Sequence, residues 1–137
     1  MLDGHPYFNY ERRHPVPDYE MLASRYIENW NNDDPDSRRA ATEGLWAQDA
    51  SYIDPLTEVH GREGIEATIA AVQMQFPSFH FRLAGPVDGH HNQCRFGWEL
   101  GPEDGDAPVA GFDVAVLTPD GRRLQTVLGF LDRVPAT

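Results

Sequence analysis

The sequence predicts an α+β domain in which three helices are followed by a meander of long antiparallel strands, with the helices covering one face of a curved sheet. Three observations predict it. Up to Phe76, apolar residues recur every three or four positions. After Pro77 the period changes to two. The alternating runs are separated by "GPVDGHHN", "GPEDGDAP" and "TPDGRR", each with Gly and Pro or Asp, the residues that turns require. The 137 residues fit one domain, and no repeat or interdomain linker divides them.

Residues 1–17 carry Pro6, Pro15 and Pro17 among Tyr7, Phe8, Tyr10 and arginines, and are expected to form an extended arm. Asp18 is placed to cap a first helix running to about Trp30, with Tyr19, Leu22, Ala23, Tyr26, Ile27 and Trp30 on its buried face. "NNDDPD" breaks it. Asp34 and Pro35 then read as N-cap and first residue of a second helix, extending to about Trp46. "ASYID" is the first strand; Pro55 lacks an amide hydrogen and ends it at Asp54. Gly61 precedes a third helix, about Arg62 to Gln75. "FHFRLAG", "NQCRFGWEL", "PVAGFDVAVL" and "RRLQTVLGFLDRV" supply the later strands.

The formal net charge is −11, and all eleven cations are arginines. An acidic, lysine-free surface argues against nucleic acid and against anionic membranes, both of which need clustered cations. It favours neutral or apolar small-molecule partners. Cys94 is the single cysteine, so no intrachain disulfide forms. No apolar run resembles a signal peptide or a membrane span, so a cytoplasmic protein is expected. Six histidines invite a metal, but HxH, HExxH and CxxC spacings are all missing, so none is expected. There is also no GxSxG elbow and no phosphate-cradling glycine loop.

Carboxylates on strands are more informative. Asp113 interrupts the apolar run "VAGFDVAVL" and shares a strand face with Val109, Gly111, Ala115 and Leu117. Buried there, it would have a raised pKa and could donate a hydrogen bond when protonated. On an exposed face it would be an ordinary polar residue, or accept from a nearby tyrosine or arginine. Asp54, at a strand end beside a proline, suits a carboxylate that stays ionised, or simply closes the strand. Tyr26 brings a phenol to the interior, where its hydroxyl needs a partner.

These residues also carry a resemblance. "RYIENWNNDD", "LWAQDASYIDPLTEVHGREGIEATI" and "VAGFDVAVLTPDGRRLQTVLGF" resemble the nuclear-transport-factor-2-like superfamily, in particular its SnoaL-like polyketide cyclases and its ketosteroid isomerases. The resemblance spans about Asp18 to Val134 and marks residues 18–137 as one SnoaL-like domain. It implies a cone of three helices and a strongly curved, mostly antiparallel sheet enclosing an apolar pocket. It also implies a homodimer formed through the sheet. Placed on the isomerase pattern, Asp54 takes the position of the general base, and Tyr26 and Asp113 those of the two oxyanion donors. The implied chemistry is cofactor-free proton transfer next to a carbonyl, giving isomerisation or aldol-type cyclisation. A non-catalytic ligand-binding or dimerisation module on the same fold is the alternative.

Trp98, Phe130, Trp46, Phe79, His60 and His80 are the residues expected to complete the pocket, with bulky Trp98 narrowing it and His60 or His80 as substitute bases. Two departures stand out. "DDPDSRRAAT" lengthens the Tyr26–Asp54 segment beyond what an isomerase would need. A limonene-epoxide-hydrolase site would need an arginine between two aspartates; Arg82 and Arg95 are available, but neither falls on the strand face assigned to the pocket.

Overall fold

The computed structural model describes residues 16–135. Apart from Val16 and Pro17, the expected N-terminal arm lies outside the described residues. The order of elements is α1 (Tyr19–Asn31), α2 (Pro35–Leu45), β1 (Trp46–Asp54), β2 (Thr57–His60), α3 (Arg62–Gln75), β3 (Phe79–His90), β4 (Gln93–Pro102), β5 (Val109–Leu117) and β6 (Leu124–Arg133).

Both predicted N-caps form. Asp18 accepts from the Met21 amide at 3.0 Å, and Asp34 from the Ser37 amide at 3.0 Å, with Pro35 opening α2. The second helix ends one residue earlier than expected, at Leu45. Trp46 is extended and starts β1, which is therefore longer than "ASYID". β2 has no counterpart among the strands expected from the sequence. Asp54 Oδ1 accepts from the amides of Leu56 (2.8 Å) and Thr57 (2.9 Å), and this side-chain turn sends the chain back as a short antiparallel partner of β1.

"GPVDG", read as part of a turn, lies inside β3. The register of β3 on β4 shifts between Ala84 and Asp88, and Gly85 there has φ +85°, a backbone that glycine adopts without strain. The true turn follows at His91 and Asn92.

The six strands form one open sheet in the order β2-β1-β6-β5-β4-β3. Every neighbouring pair is antiparallel except β1–β6, which is parallel. The helices cover the inner face, as expected of this α+β class. Along β5 burial alternates strictly: Val109, Gly111, Asp113, Ala115 and Leu117 are buried, and the residues between them are partly exposed.

A buried polar chain ties the helices to the sheet. Trp46 Nε1 donates to Asn29 Oδ1 (2.9 Å), Asn29 Nδ2 to Thr42 Oγ1 (3.0 Å), and Thr42 Oγ1 to Glu66 Oε1 (2.5 Å). Arg38 Nε donates to the other oxygen of Glu66 at 3.2 Å. The chain thus links β1, α1, α2 and α3. "DDPDSRRAAT" supplies Arg38 and, as its last residue, Thr42; the stretch forms most of α2. Among the described residues, no helix is long and apolar enough to cross a membrane.

Candidate active site

A cavity of about 370 Å³ opens between α1, α3 and the inner face of the sheet. Its walls are mainly apolar and aromatic, with Trp30, Tyr52, Phe81 and Trp98 among the rings. Leu56 and Val134 also line it, and their strong exposure makes an apolar lip; Phe130 borders it from β6, with its ring stacked on Phe112 on the opposite sheet face. A cavity of this size holds a small organic molecule.

Tyr26, Asp54 and Asp113 all line this cavity. Tyr26 reaches it from the buried face of α1, packed edge-on to Phe96 at 5.3 Å between ring centres. Its hydroxyl donates to Asp113 Oδ2 at 2.6 Å. Trp98 Nε1 donates to the other oxygen, Oδ1, at 2.9 Å. Asp113 is 3 % exposed, so it is the buried strand carboxylate, held by two neutral donors.

Burial pushes the Asp113 carboxyl up to about 6, against the pull of its bonds from Tyr26 and Trp98 and with a further push from the Asp54 charge. At pH 7 the ionised form therefore dominates. Burial and the Asp113 charge raise the Tyr26 phenol well above its ordinary range. Tyr52 is raised in the same way, burial first, with Asp113 and Asp54 adding to it.

Asp54 sits at the end of β1, partly exposed. Its Oδ1 is held by the two turn amides, and its Oδ2 accepts from Tyr52 Oη at 2.7 Å. The two aspartates meet over Gly129 of β6, which pairs with Asp113 across the ladder. A β-carbon at residue 129 would stand 3.1 Å from Asp113 Oδ1, 3.2 Å from Asp54 Cβ and 3.5 Å from Tyr52 Oη. Any side chain at 129 would press on both acids, so glycine is what lets Asp54, Asp113 and Tyr52 close over β6. Trp30 Nε1 is buried beside the cavity without a hydrogen-bond partner.

The other expected pocket residues divide. Trp98 and Phe130 line the cavity. Trp46 is fully buried and turned to Asn29. Phe79 stacks on Phe76 at 5.7 Å and lines a shallow surface groove instead. His60 is exposed and bonded to Ser51 and Glu58, and His80 is exposed on the outer face of β3. Neither histidine reaches the cavity. Its position between Phe79 and Phe81 already put His80 on the opposite face. Arg82 pairs with Glu99 and Arg95 with Asp88, both away from the cavity.

Tyr52, Gly129 and Trp30 were not singled out from the sequence. Tyr52 lies two residues before Asp54 on the same strand face, and that spacing was the available signal. Among the described residues, no group of three or more His, Cys, Asp or Glu side chains is placed to hold a metal ion.

Residues 23–125 match the sequence profile of the SnoaL-like domain. The chain belongs to this family. The SnoaL-like chain is 41% identical to a candidate isomerase of the family from Agrobacterium tumefaciens; the match covers 83% of this chain and 97% of that one, with a TM-score of 0.79. It also resembles a candidate polyketide cyclase from Sinorhizobium meliloti, with 16% identity, a TM-score of 0.61, and 83% and 94% of the two chains covered. A candidate ketosteroid isomerase from Kribbella flavida is similar at 19% identity and a TM-score of 0.60, with 88% and 84% covered. These two likenesses are likenesses of fold. No significant match was found among curated proteins.

Proposed function

We propose that this SnoaL-like domain is a small-molecule enzyme that moves a proton next to a carbonyl without a cofactor, as an isomerase or aldol-type cyclase. One observation carries the reading: Tyr26, Asp54 and Asp113, three proton-active groups from three separate elements, line one apolar cavity. Asp54 is the base, its carboxylate held by the Leu56 and Thr57 amides and by Tyr52. Tyr26 and Asp113 stabilise the oxygen on which the enolate charge develops. When Asp113 is protonated, it donates to Tyr26 Oη and frees the tyrosine hydroxyl for the substrate oxygen. The active form therefore carries a neutral Asp113.

The test is deuterium exchange at the α-carbon of a panel of enolisable apolar ketones, followed by NMR in heavy water. Asp54→Asn is expected to slow exchange by about 100-fold or more while the fold is retained. The wild-type kcat/KM should rise as pH falls from 8 towards 6, as Asp113 gains its proton. Exchange that persists in Asp54→Asn would place the base elsewhere.

A second reading, a non-catalytic ligand-binding module, is favoured by one feature. Every oxygen of Asp54 and Asp113 already accepts a hydrogen bond from the chain itself. That reading expects ligand binding in the same cavity without exchange on any ketone. Under either reading we propose a homodimer formed through the outer sheet face, where Phe112, Val114, Val116, Leu128 and Phe130 form an apolar patch.

A further inference from the structure

Trp98 stands opposite Gly111 across the β4–β5 ladder, and Asp113 follows two residues later on the same face of β5. The Trp98 ring lies over that glycine. A β-carbon at residue 111 would stand 2.7 Å from Trp98 Cζ2 and would also press on the Phe130 carbonyl oxygen. Glycine therefore lets the indole cross β5 and bring Nε1 to Asp113 Oδ1 at 2.9 Å.

The two partners of Asp113 differ in what they can do. An indole N–H donates and never accepts, whereas a phenol hydroxyl does both. Trp98 donates to Oδ1 and Tyr26 to Oδ2. When the carboxylate gains a proton, one oxygen becomes a hydroxyl, and in this buried place it needs an acceptor. On Oδ1 the new O–H would meet the indole N–H, which cannot receive it. On Oδ2 it meets Tyr26 Oη, which can turn from donor to acceptor. Oδ1 then stays a carbonyl oxygen and keeps its bond from Trp98.

We infer that Trp98 is a positioning residue: its N–H on Oδ1 directs the proton of neutral Asp113 to Oδ2, so that the hydrogen-bond chain runs one way, from Trp98 through Asp113 and Tyr26 to the ligand. The inference deepens the proton-transfer reading and rests on it for its kinetic part. The proton gained comes from water and stays on Oδ2. Tyr26 keeps its own proton and turns it towards the cavity. A chain of this polarity selects an acceptor on the ligand, which a carbonyl oxygen is. The titratable groups facing Asp113 are Tyr26 from α1 and Tyr52 and Asp54 from β1; β4 presents Trp98 and β6 presents Gly129.

Two measurements test it. The first needs no substrate. Proton–nitrogen NMR of the full wild-type chain follows the three indole N–H groups from pH 8 to pH 5, with Trp46, which donates to Asn29, as the bonded reference. The Trp98 resonance is expected to move with the Asp113 carboxyl, around pH 6, and to stay protected from solvent exchange at both ends. Loss of protection at pH 5, or a resonance that ignores the Asp113 titration, would overturn the inference.

The second is Trp98→Phe, which keeps a ring over Gly111 and removes the N–H. The pH midpoint of kcat/KM for ketone exchange is expected to rise by at least half a unit, because the carboxylate loses a donor. At the optimum, kcat should fall at least threefold with KM within twofold, because Oδ1 now competes for the proton. A packing role alone would change KM equally at every pH and leave the midpoint in place, and that result would overturn the inference. Exchange on no ketone at all would strike the proton-transfer reading and leave the indole titration to decide this one.

Discussion

At Asp113, burial and ionisation compete most directly. The folded protein holds the Asp113 proton up to about pH 6, while an unfolded aspartate releases it near pH 4. Between those values the native state binds more protons than the unfolded state, so this group makes stability fall as pH rises through the window. The cost at pH 7 is on the order of 3 kcal/mol. Asp113→Asn is therefore expected to flatten the pH 4–6 slope and to raise the melting temperature at pH 7, read by calorimetry across pH. A variant destabilised at pH 7, with the slope intact, would show that the charge is not strained. The amide keeps an acceptor for Trp98 and a donor for Tyr26, so packing is preserved.

At the scale of elements, the polar chain from Trp46 through Asn29 and Thr42 to Glu66 holds α1 over the sheet and so sets the height of Tyr26 above Asp113. Asn29→Ala would leave the Trp46 indole N–H buried without an acceptor. A loss of about 2 kcal/mol in urea unfolding is expected. The helices were legible because each carries its own punctuation: Asp18, Asp34–Pro35 and Gly61 stand at the starts that the structure shows. The strands were less so. "TEVH" is four residues long with a single aliphatic, Val59, and its pairing depends on the Asp54 side-chain turn rather than on its own pattern. "GPVDG" looked like a turn because Gly and Pro usually mark one, yet here they form a bulge inside a twelve-residue strand. Side-chain parity put Asp113 on one face with Val109, Gly111, Ala115 and Leu117 but left open whether that face was buried, and it gave no warning that Trp46 would close the core instead of the pocket. Aromatic residues at element ends bury wherever space is nearest, and periodicity does not fix that. The close approach of Asp54 and Asp113 over Gly129 depends on strands meeting across a ladder, a long-range fact that no single run of residues carries.

For the molecule as a whole, the patch on the outer sheet face is left partly exposed by the described residues. Phe112 and Phe130 stack there at 4.9 Å, and Phe130 is 47 % exposed. Light scattering coupled to gel filtration is expected to give twice the chain mass, and Val114→Glu, in the middle of the patch, to give the monomer with its helical circular dichroism unchanged. A wild type that elutes as a monomer at micromolar concentration would remove the dimer. The parallel pairing of β1 with β6 has a different consequence. The strand that carries Asp54 pairs at once with β2, but it joins the rest of the sheet only through the last strand of the domain, more than seventy residues later. During synthesis on a ribosome, α1, α2 and β1 emerge without the surface on which they rest, and they must wait for β6. Asp54 and Asp113 cannot face each other in any nascent fragment that lacks β6. The two carboxylates are thus brought together only in the closing step of folding, when the rest of the sheet is already in place to hold them.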